Sequence, residues 1–299
     1  MEHAPPIPDK SAIGPAATVG IVCESVACLD PARVGALGVQ VVPVPFVIDG
    51  RAYLDGVDLS HEEFYRRLER SGRAPATSAP APAAYLEAFR AAGTPNVVCV
   101  TVSGAVSTMA ERCRLAIQQA KEQLPAVTIE LFDSGTAAMA QGLLALAAAR
   151  LAQTGAPLPE IVDLLQRSRS KAHLMIVLDT LKYLAQTGRL GGIAALAGGV
   201  LSIKPIVHCS NDRFAPIEIC RTRPRALDGM LNHLARDVGA SRTQHVVIQH
   251  AAAEQQAEAL RAETARRLPD VNLSIVPFSP VMGTYAGPGL LGFAWLHGQ

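Results

Sequence analysis

The chain has 299 residues and a formal net charge of +1, with Lys and Arg scattered along it, so it offers no concentrated field for a polyanion and nucleic acid is not an expected partner. With 49% hydrophobic, 18% charged and only 4% aromatic residues, it should fold as a compact globular protein of about two domains, its cores filled by Ala, Val, Leu and Ile. Six cysteines sit mostly in apolar runs without CxxC spacing, which reads as reduced thiols of a cytoplasmic protein and not as disulfides or a zinc site.

The opening MEHAPPIPDKSAIGPAA has acidic residues and prolines but no apolar signal core, so residues 1–16 are expected to be a disordered leader. ATVGIVCES then reads as a buried strand, and VQVVPVPFVIDG as a second extended segment after a short helix. SHEEFYRRLERSG is a helix opened by a Ser60–Glu63 capping box and stopped by Gly72. The stretch RAPATSAPAP follows it and sets two hydroxyls, Thr77 and Ser78, among alanines and prolines. Pro82 can open the next helix, NVVCVTVS is a strand ending near Ser103, and a helix through STMAERCRLAIQQAKEQL leads to a strand TIELFDS. This alternation predicts an N-terminal α/β domain with a parallel sheet over residues 17–165. In such sheets ligands bind beyond the carboxyl ends of the strands, where Ser25, Ser103 and Ser134 fall.

TAAMAQGLLALAAARLAQTG is the most apolar long run, but it is mostly alanine and contains Gln141, Arg150 and Gln153, so it reads as a buried helix and not a membrane span. Beyond residue 170 the rhythm changes to strands HLMIVLDT, IKPIVHCS, FAPIEIC, HVVIQHA and LSIVPF, with SNDR as a hairpin turn. A C-terminal α+β domain with a mixed or antiparallel sheet is expected over residues 166–299.

Several motifs have dull readings. GPGLLG, at Gly287 to Gly292, formally matches a dinucleotide fingerprint but lacks the following helix, strand and acidic residue. Lys204 lies near glycines without the order that wraps phosphates. His173, His208, His245 and His250 lie on strands without HExxH spacing and read as ordinary strand or cleft residues, so no metal is expected. No GxSxG elbow is present. Ser25, Thr77, Ser78, Ser103, Ser107, Thr108 and Ser134 are different, because they share one expected face; capping explains each singly, and a polar-headed ligand explains the set.

The motifs VCESVACL, VVPVPFVIDGRAYLDGVDLSHEEFYRRL, PATSAPAPAAYLEAF, VTVSGAVSTMAERC, LFDSGTAAMAQG, LDTLKYLAQTGRLGG, LSIKPIV, CRTRPRAL and GTYAGPGLLG occur in the order of the DegV family, and the chain resembles it over nearly its whole length after residue 17. That resemblance implies a two-domain α/β protein that binds a long-chain fatty acid between its domains. It also implies a binding subunit without catalysis of its own, which presents the acyl chain to a separate ATP-dependent fatty acid kinase subunit. By the same resemblance Thr77, Ser78 and Ser107 hold the carboxyl group, with Ser103, Thr284 and Tyr285 beside them and Ser25 and Ser134 near the head group. Arg189 and Arg221 become contacts for the kinase or a phosphate. Glu24 stands where the family usually has Asp, and Tyr285 where it has His. No cofactor is implied apart from the bound lipid.

The chemistry is sound on its own terms. A buried carboxylate without donors costs several kcal/mol, whereas hydroxyls and N–H groups make it tolerable. At roughly 0.8 kcal/mol per methylene, about fourteen methylenes offer on the order of 11 kcal/mol before entropy costs. Two rival readings stay open: an enzyme on a small acyl or phosphorylated substrate with Ser107 or Thr77 as nucleophile, and a two-domain ligand sensor.

Overall fold

In the computed structural model, which describes residues 17–71, 73–188, 203–239 and 245–298, the first strand Val19–Glu24 (β1) is buried at every position. A strand so apolar stays extended only where both its faces are covered. The Asp30 side chain accepts from the Ala32 N–H and caps Pro31–Leu37 (α1), and the chain returns as Gln40–Val42 (β2). Pro45–Ile48 (β3) and Arg51–Leu54 (β4) form a hairpin about Asp49 and Gly50, both at positive φ (52° and 73°), as a tight two-residue turn requires. The Ser60 hydroxyl accepts from the Glu63 N–H at 3.2 Å and opens His61–Ser71 (α2). Then come Ala76–Thr77 (β5), Pro82–Ala91 (α3) with proline in its first turn, Asn96–Thr101 (β6), Met109–Gln123 (α4) and Thr128–Asp133 (β7).

Strands β2, β1, β6 and β7, in that order, make a four-stranded parallel sheet. The strand order reverses between β1 and β6, which opens a crevice past their carboxyl ends. The single extended segment expected after α1 is instead two strands, β2 and β3, in different sheets. Strands β4, β3 and β5 form a separate three-stranded antiparallel sheet that carries Thr77 on its last strand.

Ala138–Gln153 (α5) is buried on nearly every side, from Ala138 through Ala149 and again at Ala152. A helix without a polar face must lie inside the protein, and this one packs against β1 and β6 on one side and the second large sheet on the other. Gly142 permits the closest approach: a Cβ there would lie 2.6 Å from the Ala27 carbonyl oxygen. Leu158–Ser168 (α6) follows, and the expected division at residues 165 and 166 falls within it.

The second large sheet has six strands: Ala172–Val177 (β8), Lys204–Ser210 (β9), Arg213–Cys220 (β10), His245–His250 (β11), Asn272–Pro277 (β12) and Leu291–Leu296 (β13), in the order β10-β9-β8-β13-β11-β12. The β9–β10 hairpin is antiparallel, as SNDR predicts, and β11 and β12 are parallel. Lys182–Thr187 (α7), Arg223–Gly239 (α8), Glu254–Arg267 (α9) and Pro280–Ala286 (α10) connect them.

Strand β13 is a correction. LGFAWL, which shares Leu291 and Gly292 with the glycine motif and was not among the expected strands, is fully buried and pairs with both β8 and β11. Gly287 and Gly289 serve the turn that enters it, at φ 71° and 85°. Side chains alternate across this sheet. Leu174, Val207, Cys209 and Ala294 face the α5 side, while Met175, Ile206, Phe293 and Trp295 face a second core under α8 and α9. All six cysteines are buried free thiols. The leader at residues 1–16, Gly72 and Arg189 lie outside the described residues. No described helix is long and apolar enough to cross a membrane.

Candidate functional site

Past the carboxyl ends of β1 and β6, the α5 face of the six-stranded sheet stands away from the parallel sheet and leaves a cavity of about 150 Å³ with an open mouth. The parallel sheet's loops contribute Val26, Val102, Val106 and Met109, and the facing sheet contributes Leu174, Ile176, Val207 and Cys209. Leu178, Leu184, Phe214, Phe278, Met282 and Ala286 complete an apolar wall in which the hydroxyl-bearing residues are Ser107 and Tyr285. Each strand residue is there because period-two alternation turns it inward, so the lining could not be read from any one contiguous motif.

The hydroxyl cluster forms where β5 meets α10. Thr77 is held by pairing of β5 with β3 at Phe46, and its Oγ1 shares a very short hydrogen bond with the Tyr285 hydroxyl. Ser107 lies on the same cavity, and its Oγ accepts from the Met109 N–H at 3.3 Å at the start of α4. Thr77, Ser107 and Tyr285 are half-buried, which leaves them reachable from the cavity mouth. Ser78 is exposed beside Thr77, its N–H bonded to the Pro45 carbonyl at 3.2 Å.

The other hydroxyls are committed to the protein. Ser25 Oγ donates to Asp55 at 2.7 Å and accepts from the Val44 N–H at 3.1 Å. Ser103 Oγ donates to Asp212 at 2.7 Å, and Asp212 also pairs with Arg169 at 2.5 Å. Ser134 Oγ donates to the Thr136 carbonyl, and Thr284 Oγ1 to the Val281 carbonyl within α10. Thr108 is exposed at the N-cap of α4. Arg221 is exposed just after β10. Its neighbour Arg223 is the ion-paired one, reaching Asp179 at 3.0 Å together with Lys204. Sequence reasoning missed that trio, because its members come from three distant segments.

It also missed the role of Glu24. At the end of β1 this carboxyl is fully buried at the point where the sheet order reverses. Tyr85 donates to it at 2.9 Å, Gln141 of α5 at 2.8 Å and the Val102 N–H at 3.2 Å. Burial still outweighs these donors and raises its pKa from 4.5 to about 7. Gln141 Oε1 has no partner in this node.

Comparison with known proteins follows the same outline. A DegV domain-containing protein of Deinococcus radiodurans is 31% identical over 285 residues, covering 93% of this chain and 98% of its own length. The fatty acid binding DegV family protein of Streptococcus agalactiae superposes with a TM-score of 0.83 at 27% identity, covering 95% of this chain and 100% of that one. The Streptococcus pneumoniae fatty acid kinase (Fak) B3 protein, loaded with linoleic acid, shares the fold with a TM-score of 0.80 at 21% identity over 93% of this chain and 99% of that one. The family model for uncharacterised proteins of the DegV type matches residues 18–298, so the chain belongs to the DegV family.

Proposed function

We propose that this protein binds a long-chain fatty acid, with the acyl chain in the apolar cavity and the carboxyl group at Thr77, Tyr285 and Ser107, and presents it in the cytoplasm to an ATP-dependent fatty acid kinase subunit. The carrying observation is an apolar cavity lined by half-buried Ser107, just before α4, and half-buried Tyr285 of α10, whose hydroxyl is hydrogen-bonded to Thr77 of β5. That lining supplies methylene burial, and the hydroxyls can donate to a carboxylate without placing a fixed charge in the cavity. Ser78 lies next to this group, Ser103 and Ser25 are bonded to the Asp212 and Asp55 side chains, and Ser134 and Thr284 to backbone carbonyls. The ligand then sits between two domains, residues 17–165 and 166–299.

The relative from Streptococcus agalactiae supports the ligand class, and the shared fold with the Fak B3 protein is in keeping with a kinase partner. The enzyme reading has less behind it. Among the described residues, Thr77 is bonded to a tyrosine hydroxyl and Ser107 to a backbone N–H, and neither is a base that could activate a nucleophile. Arg221, exposed beyond β10, is proposed with Arg189 to meet the kinase or the transferred phosphoryl group.

Solvent extraction of the folded, purified protein followed by mass spectrometry should release fatty acid. A protein that stays empty after incubation with oleate or palmitate would overturn the reading. With a cognate kinase subunit, Arg221→Ala should slow acyl-phosphate formation and leave fatty-acid affinity unchanged; equal loss of both would move that arginine into the binding site.

A further inference from the structure

The face of the six-stranded sheet turned away from the cavity carries a second cluster. His173 on β8 pairs across the ladder with Trp295 on β13, and His208 on β9 is opposite Met175, diagonal to His173. His297 follows Trp295 by two positions, so period-two alternation sets these side chains on one face. His173 Nδ1 and His208 Nε2 are 3.0 Å apart, and the His173 ring stacks on Trp295 with centroids 5.1 Å apart. Helix α8 crosses above them. Its Asp237 accepts from the Trp295 indole N–H at 3.0 Å and lies 3.3 Å from His297 Nε2.

One ligand atom each from His173, Asp237 and His297 lies within 4.8 Å of the other two. We propose that these three side chains form a binding site for a borderline first-row divalent cation of the zinc, cobalt or nickel class. Two imidazoles and one carboxylate suit such ions, whereas magnesium and calcium favour all-oxygen shells. Bonds of about 2.1 Å in a tetrahedron separate ligand atoms by roughly 3.3 Å, so the three groups need to draw inward by about an ångström.

Two further contacts prepare the ligands. The His208 bond fixes the His173 ring, and the Trp295 N–H orients the Asp237 carboxylate, as outer hydrogen bonds do around metal-bound groups. All three ligands are half-buried, and Asp237 also lines a cleft with His208, His233 and Arg236. Because the ligands come from β8, α8 and the segment after β13, a bound ion ties that segment to the sheet and to α8, and it stabilises the folded state over the unfolded one.

Trp295 is the single tryptophan of the chain, so its emission reports this site alone. Tag-free protein stripped with EDTA and titrated with cobalt chloride near neutral pH should show saturable quenching with one ion per chain, visible d–d absorption, a rise in melting temperature and reversal by EDTA. Asp237→Asn, which keeps an acceptor for the indole N–H, and His297→Ala should each weaken binding by about tenfold or more. His245→Ala, on β11 and bonded to Ser274, should leave it unchanged. If His297→Ala fails to fold by circular dichroism, Asp237→Asn decides. Absence of quenching up to millimolar cobalt, or quenching that survives Asp237→Asn, overturns the proposal.

Discussion

The node around Glu24 and the carboxyl site proposed at Thr77, Tyr285 and Ser107 would hold a carboxyl group in different ways. Glu24 belongs to the chain, is wholly buried, and is met by donors from α3, α5 and the residue after β6, each itself buried. The proposed ligand site at Thr77, Tyr285 and Ser107 uses half-buried hydroxyls at the rim of an apolar cavity. A resident carboxyl never leaves, so its donors can be rigid and dry. A visiting one has to be released, which favours neutral donors near solvent that water can replace.

The largest effect expected from this contrast is a pH dependence. The Glu24 carboxyl titrates at about 7 in the folded state against 4.5 ordinarily, so the folded state holds the proton more tightly through that window. Its contribution is complete below pH 4.5 and falls as pH rises through 7, by roughly 3 kcal/mol in all. Denaturant melts of Glu24→Gln and the parent from pH 4.5 to 7.5 should diverge by that sign, the parent losing stability relative to the variant as pH rises. Parallel curves would mean that Glu24 is ionised throughout.

Thr77→Ala should weaken fatty-acid binding by about 1.5–3 kcal/mol while the melting temperature holds. Titration with a fluorescent fatty acid reads the first quantity, and a thermal melt reads the second. The reverse outcome would make Thr77 a structural hydroxyl and move the head-group site elsewhere. Tyr85→Phe removes one donor from Glu24 and should cost about 1.5 kcal/mol of stability with ligand affinity unchanged, which tests whether the two carboxyl sites are independent. The smallest effect belongs to Ser103→Ala. Its hydroxyl serves Asp212 on the outer rim, so a loss of at most about 1 kcal/mol of stability and no change in fatty-acid affinity is expected. A tenfold loss of affinity there would join Ser103 to the head-group site.

Much of this was legible in the residues. The buried run of β1, the proline-led α3 and the apolar α5 announce themselves locally, because burial and helix entry leave marks on neighbouring positions. Thr77 and Ser107 stood out as hydroxyls at element boundaries. What stayed hidden depends on contacts between distant segments. Nothing near Ser103 in the chain reveals that its hydroxyl is bonded to Asp212, and nothing near Gln141 shows that it serves Glu24. Strand β13 opens inside a glycine pattern, and Gly287 and Gly289 serve the turn that enters it. His173, His208 and His297 look unrelated until the ladder sets them on one face.

The make-up of the cavity wall sets how a guest can bend. Val26, Val102, Val106, Ile176 and Val207 are branched at Cβ and nearly frozen in χ1, so they form a hard mould. Ala137, at the threshold of α5, has no rotamer to change, and the alanine-filled helix behind it is wedged between two sheets and cannot retreat. Met109 and Met282 are the pliable exceptions, with unbranched thioether arms that can swing into several shapes. A hydrocarbon guest would therefore meet more give at the two methionines than along the branched wall.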